Sequence, residues 1–249
     1  MAAEQERERA REQQSSSGED LGEEARARSE LTSMIAHELK NPLMSIKGLA
    51  ATGSRLYDSM TDEERKDFFR LIDVESSRLK LIVDEISTAL KIDAGQLAYA
   101  IRPEALGRLV EETAWRFSAG DHPLRVETDE ELTVPIDRGR MEETLTNLLD
   151  NAAKFSAPDA PIVVRAFRTT DGSATVEVLD RGPGIPSEQR SEVFRKFNRY
   201  RPPGYEEVPG AGLGLFISAA HIKAHGGRID IEDGSGQGTM LRLTVPSGG

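Results

Sequence analysis

The chain has 249 residues, 30% of them charged, no cysteine and a formal charge of −11. Absent thiols exclude disulfides and cysteine-ligated metals, and the negative balance has the wrong sign for a surface that neutralises nucleic-acid phosphates. With 37% apolar residues but no apolar run of the ~18 residues a membrane helix needs, the composition suits one large or two modest cytoplasmic domains, or the cytoplasmic piece of a larger protein.

Residues 1–20 are a charged flexible segment, with no secretory signal, either a tail or the stump of an input segment. From about Leu21 the pattern turns helical. Leu31, Ile35, Leu39, Pro42, Ile46, Leu49 and Gly53 recur at spacings of 4, 4, 3, 4, 3 and 4, which makes one apolar stripe. DSMTDEE breaks the pattern, and Thr61 with Glu64 matches a capping box that starts a second helix. Its stripe is Phe68, Ile72, Leu79, Ile82, Ile86 and Leu90, with Glu75 as the polar exception. Two long amphipathic helices with a short connection predict an antiparallel hairpin. A second copy would cover both stripes by completing a four-helix bundle, so a homodimer is expected.

KIDAGQL (91–97) ends the hairpin at Gly95, and the texture then changes to mixed α and β. Helices are predicted over 103–118, which holds the single Trp115, and over 137–155. PIVVRAF and ATVEVLD around TTDGS predict a β-hairpin. A helix over 213–225 and two closing strands complete a multidomain α and α+β chain, divided 1–20, 21–97 and 98–249.

Four stretches of the second domain are chemically loaded. NLLDNAAKFS puts Asn147 and Asn151 at i and i+4 on one helix face, with Lys154 a turn further on. Amide oxygens suit a hard cation such as Mg²⁺ and an ammonium suits phosphate, although a solvated helix face reads the same way. DRGPGIP leaves a strand through Asp180, and Gly182 and Gly184 allow close approach to a flat ligand or simply make a tight turn. GAGLGLFIS runs a glycine-rich loop into a helix, a common phosphate cradle. GSGQGT is a turn by default. The irregular VFRKFNRYRPPGYEEVPG between them has the length and composition of a lid.

With these stretches in this order, the chain closely resembles the catalytic core of bacterial sensor histidine kinases over roughly 25–247. The matching boxes are HELKNPLMSI, NLLDNAAKFS, DRGPGIP, VFRKF, GAGLGLFIS and GSGQGT. The resemblance implies a dimerising phosphoacceptor hairpin followed by an α/β-sandwich ATP-binding domain of the gyrase–Hsp90–kinase–MutL type. It implies His37 as phosphoacceptor, Glu38 as the activating acid and Asn41 as the residue that positions water for dephosphorylating the partner. Asn151 would ligate Mg²⁺ with Asn147 beside it, Lys154 would touch phosphate and Phe155 would lie along the nucleotide. Asp180 would hydrogen-bond the adenine amine, with Gly182 and Gly184 lining its pocket and Leu215 and Thr239 contributing to it. Arg199 would reach the γ-phosphate, Gly210, Gly212 and Gly214 would shape the phosphate loop, and Phe194 and Phe197 would anchor the lid. The implied partner is an aspartate-bearing response regulator receiver. Two positions depart from the usual pattern: Phe155 stands where Tyr is often found, and Ala36 where Ser is frequent.

Two other functions compete for the same residues. A repair or chaperone ATPase of the same superfamily lacks a helix bearing HELKNPL, and intact glycine loops speak against a non-catalytic scaffold. At about 100° per residue, His37 lies about 200° from both Ile35 and Leu39, so it faces away from the stripe, with Asn41 one turn on. The same arithmetic separates His37 from Glu38, so that their pairing requires particular rotamers. Pro42 forfeits the bond to the Glu38 carbonyl and marks an expected hinge. His122, His221 and His225 read as ordinary loop and helix-end residues.

Overall fold

The computed structural model describes residues 33–117, 122–157, 159–208, 210–234 and 238–247. The charged start at 1–20, Leu31 and the middle of GSGQGT lie outside the described residues. By internal contact the chain divides into two units, Met1–Val83 and Asp84–Gly249. This boundary falls within a helix.

In the first unit, helix α1 covers residues 33–56 and runs unbroken through Pro42, which is buried. A single 3-10 turn, Tyr57–Ser59, leads into α2, Asp62–Asp93. The capping box forms as its residues require. The Thr61 N–H donates to Glu64 Oε2 at 2.7 Å and the Glu64 N–H returns to Thr61 Oγ1 at 3.3 Å, so two otherwise orphaned donors of the first turn are satisfied. Arg65 clamps the same corner, donating to the Tyr57 carbonyl at 2.9 and 3.1 Å while lying 4.5 Å over the Tyr57 ring. Gly53 lets the two helices pack closely, because a Cβ there would stand 3.3 Å from the Phe68 ring.

One line of shielded positions along α2 is Phe68, Ile72, Glu75, Leu79, Ile82, Ile86 and Ala89, at spacings of 4, 3, 4, 3, 4 and 3. An average of about 3.5 is the seam of a supercoiling helix. Leu90, expected on the stripe, is instead 63% exposed, and Ala89 is 4% exposed. Two consecutive steps of four drift off such a seam, which is why the sequence pattern misplaced its last member.

The second unit begins with the end of α2. Strand β1 (Arg102–Ala105) pairs antiparallel with β3 (Thr133–Ile136) in a two-stranded ribbon. Strands β2 (Leu124–Thr128), β4 (Ile162–Arg168), β5 (Ala174–Leu179), β6 (Arg228–Asp233) and β7 (Thr239–Val245) form a five-stranded sheet in the order β2-β4-β5-β7-β6. Only β2 and β4 run parallel. Helices α3 (Leu106–Phe117), α4 (Arg138–Phe155) and α5 (Gly214–Ala224) pack on the sheet. The core gathers Leu109, Leu145, Leu148 and Ile222 from the helices with Val164, Val176 and Leu243 from the strands.

Across the five strands, cross-strand pairing aligns Glu127, Arg165, Glu177, Arg242 and Asp230 in one row of alternating sign. Arg165 pairs with Glu127 at 3.0 Å and Arg242 with Glu177 at 2.8 Å. Opposite charges directly across a ladder support the register.

The helix expected over 103–118 starts three residues later, because 103–105 belong to β1. Pro103 faces Pro135 there, and a two-stranded ribbon of edges tolerates their missing donors. Among the described residues no helix is long and apolar enough to cross a membrane.

Candidate functional site

In the first unit, α1 turns His37 and Asn41 outward. Their spacing stacks them one turn apart, and the Asn41 side-chain amide donates to His37 Nδ1 at 3.3 Å. Glu38, the next residue, is only 8% exposed. The hydrogen bond described at His37 Nδ1 comes from Asn41.

In the second unit three clusters form around α4. The first is at the exit of β5. Asp180, 7% exposed, accepts through Oδ1 from the N–H groups of Gly182 at 2.8 Å and Thr239 at 3.0 Å. Its own N–H donates to the Thr239 carbonyl at 2.9 Å. Burial pushes the Asp180 carboxyl above its ordinary value, against the pull of these backbone donors. A Cβ on Gly182 would overlap the Phe155 carbonyl, so the backbone after Asp180 lies directly against the end of α4. Gly184 takes a φ of +80°, in the region glycine favours. The ring of Phe155 meets that of Tyr205 at 5.8 Å, giving a carboxylate, a glycine bend and an aromatic pair in one place.

The second cluster lies along α4 and α5. Asp137 caps α4 by accepting from the Arg140 N–H at 3.1 Å, and that helix carries Asn147 and Asn151. The Asn147 amide nitrogen donates to Ser218 Oγ at 2.9 Å, and its Oδ1 accepts from the Asn151 amide nitrogen at 3.5 Å. Gly214 opens α5 against Asn147, and a Cβ there would overlap Asn147 Oδ1. Leu215 packs against the core, and Lys154 is ion-paired with Asp150 one turn back. Among the described residues no group of three His, Cys, Asp or Glu could hold a metal. Paired amide oxygens fit a hard cation that arrives with most of its ligands already supplied by phosphates and water.

The third cluster is the irregular segment expected to be a lid. The Arg199 guanidinium donates to the Val208 carbonyl. The Phe197 N–H donates to the Gly212 carbonyl at 2.9 Å, with Phe197 at a φ of +61°. A Cβ on Gly212 would stand 2.8 Å from Arg199 Cγ, so glycine there lets the arginine pass. Gly210 is open, with a φ of +152°. Phe194 packs on the core.

Sequence reasoning missed Tyr205, Ser218 and Glu85. Tyr205 sits in an aperiodic loop, and Ser218 looked like ordinary helix filling. Glu85 belongs to the part of α2 in the second unit. Partial burial pushes its carboxyl up to about 7; Lys154 opposes the shift, while Asp150 and Glu143 add to it. The unfolded carboxyl titrates at 4.5, so between these values the native state holds a proton that the unfolded chain has released. Stability therefore falls as pH rises through that window, by up to about 1.4 kcal/mol per pH unit. Glu85→Gln keeps the shape and removes the proton. Melting temperatures between about pH 5 and 8 should vary less with pH in the variant than in the wild type. Parallel curves would show that another group titrates.

His221 and His225 prove structural, as expected. His221 is fully buried, with Nδ1 3.0 Å from the Tyr99 hydroxyl and Nε2 3.2 Å from Glu143. His225 accepts at Nε2 from the Asp137 N–H at 2.8 Å. The hydrogen bond to His221, with Arg140 second, holds the Glu143 carboxyl below its usual range against the effect of burial.

Comparison with known proteins converges on both halves. Residues 27–95 match the His Kinase A (phospho-acceptor) domain, and residues 136–249 match the histidine kinase-, DNA gyrase B- and HSP90-like ATPase family. The circadian input-output histidine kinase CikA of Synechococcus elongatus is 29% identical over 227 residues, covering 88% of this chain and 30% of CikA. The chain thus spans about a third of the length of such curated relatives, and 37% of the Staphylococcus aureus sensor protein SrrB. Among solved structures, the mycobacterial sensor histidine kinase MprB is 29% identical with a TM-score of 0.53, over 59% of this chain and 97% of that one. The histidine kinase ThkA, solved with the response regulator protein TrrA, shares the fold, with a TM-score of 0.64 over 88% of this chain and 61% of that one, at 24% identity. An outward histidine on a phosphoacceptor hairpin and an ATPase fold thus lie in one chain, which belongs to the sensor histidine kinases and carries their catalytic core.

Proposed function

We propose that the chain transfers the γ-phosphoryl group of ATP to His37 and passes it to an aspartate of a response regulator receiver domain, and that it also dephosphorylates that receiver. The observation that carries this reading is the exposed His37 within a matched phosphoacceptor domain, in the same chain as a matched ATPase domain. The phosphoacceptor hairpin would span 21–97 and the ATP-binding domain 98–249, on the cytoplasmic side where ATP is found.

Asp180 would accept from the adenine amine while Gly182, Gly184, Phe155, Leu215 and Thr239 enclose the base. Asn151 would ligate Mg²⁺ with Asn147 beside it, and the ion neutralises charge on the transferring phosphates. Lys154 and Arg199 would add positive charge once drawn from Asp150 and the Val208 carbonyl, with Gly210, Gly212 and Gly214 admitting the phosphates close to backbone. A neutral imidazole nitrogen forms the bond to phosphorus, ADP leaves with the bridging oxygen, and the ring's other nitrogen loses its proton. Asn41 donates to His37 Nδ1 and so orients the ring at rest; that bond would open when Nδ1 carries the ring proton and the other nitrogen attacks, and Glu38 would stabilise the charge that develops.

A homodimer is supported by a second row of exposed apolar residues on α2, Leu71 (46% exposed), Val74 (56%) and Leu81 (55%). Such rows are ordinarily covered by a partner helix.

Phosphotransfer supplies the test. Protein labelled from γ-labelled ATP and freed of nucleotide should lose its label to an added cognate receiver domain. The receiver should gain it as an acyl phosphate, and a receiver with its aspartate replaced should not. Label that stays on the chain with every receiver offered would defeat the phosphorelay reading.

A further inference from the structure

Resting on the nucleotide-site reading above, we infer that Ser218 is a positioning residue for the cation site: its hydroxyl fixes the amide of Asn147, and through it that of Asn151, so that Asn151 offers a cation its oxygen and not its nitrogen. A carboxamide has a donor end and an acceptor end of nearly equal shape. A cation site built from amides therefore needs something that decides which end faces the ion.

The chain of bonds makes that choice. Ser218 Oγ receives the Asn147 amide nitrogen at 2.9 Å, and Asn147 Oδ1 receives the Asn151 amide nitrogen at 3.5 Å. With its nitrogen spent on Asn147, Asn151 has Oδ1 left for a hard cation. The reversed chain would present an N–H₂ group to the ion. Gly214 breaks the symmetry between the two arrangements. It is the first residue of α5, and the Asn147 atom nearest to a Cβ built there is Oδ1, closer than Cγ or Nδ2. The opening turn of a helix has unpaired N–H groups and the positive end of the dipole, which favour the oxygen over the amide nitrogen. One turn along α5, Ser218 takes the nitrogen. Ser218 is 1% exposed, so its hydroxyl has no bulk water to turn to, and Gly214 lies at the oxygen end of the side chain that Ser218 holds by its nitrogen.

Outer partners of this kind typically change metal affinity by about 10–100-fold when removed. The test is calorimetric titration of the whole chain with ADP, once in Mg²⁺ and once in EDTA. Ser218→Ala should weaken ADP binding about tenfold in Mg²⁺ and leave binding in EDTA unchanged. Equal weakening in both, or in neither, overturns the inference, because a merely structural serine would not separate the two conditions. If the wild type binds no ADP in either buffer, the nucleotide reading itself falls. A readout on the wild type covers the case in which the variant does not fold: the Asn147 side-chain amide protons should exchange with water more slowly than those of exposed Asn41. Equal exchange rates would also overturn the assignment.

Discussion

His37→Gln should bind nucleotide as the wild type does and take up no label from γ-labelled ATP. Glutamine is close in size, and position 37 is exposed, where substitutions usually cost little stability. Its amide nitrogen has no available lone pair, so the loss of labelling should be complete and not graded. The chain has four histidines, and the structure separates them by environment. His221 is 0% exposed and His225 5%, while His122 is half-buried and bonded to the Ala160 carbonyl at 3.1 Å. His37 is the one that stands out from its helix. Phosphate bound through nitrogen is released by acid and survives alkali, and wild-type label should behave so. Full labelling of His37→Gln would place the acceptor elsewhere. ATP turnover without any labelling would instead favour an ATPase of the same superfamily that uses no histidine acceptor.

What could be read from the sequence was what neighbouring residues decide among themselves. The Thr61–Glu64 box, the Asp137 start of α4 and the outward placement of His37 all follow from spacings of three or four on one helix. The short strands β1, β2 and β3 went unread because four or five residues with little alternation carry almost no periodic signal. Their pairing is decided by distant partners, as where Leu124 meets Ile162. The candidate site divides in the same way. Its glycines and Asp180 were visible as a local pattern, whereas Ser218 acquires its meaning from Asn147, 71 residues earlier. Glu85 looked like one more surface acid on an acidic chain, and only burial near Asp150 and Glu143 sets it apart.

Asp180→Asn should separate function from stability. Asparagine retains an oxygen that can accept from the Gly182 and Thr239 N–H groups, so the bracket between β5 and β7 survives. It removes the negative charge. Burial, the largest influence on Asp180, raises its carboxyl above the unfolded value. The native state thus holds the proton more tightly than the unfolded chain, and the carboxyl's contribution to stability is greatest in acid and is lost as pH rises through its folded value. At neutral pH the ionised form is a cost that asparagine lacks. The melting temperature of the variant should therefore equal or exceed that of the wild type at neutral pH, with its relative gain shrinking toward acid. Nucleotide binding should move the other way. The adenine amine is a donor, and a hydrogen bond to a charged acceptor contributes about 1.5–3 kcal/mol, so ADP affinity should fall by about 10–100-fold. The amide nitrogen of the new side chain adds a donor facing a donor, which pushes the loss toward the larger figure. Melting curves and ADP titrations on one preparation decide the matter. A fall in melting temperature alongside the loss of binding would mean that the carboxylate holds the strands together, and the assignment of Asp180 to the base would lose its support.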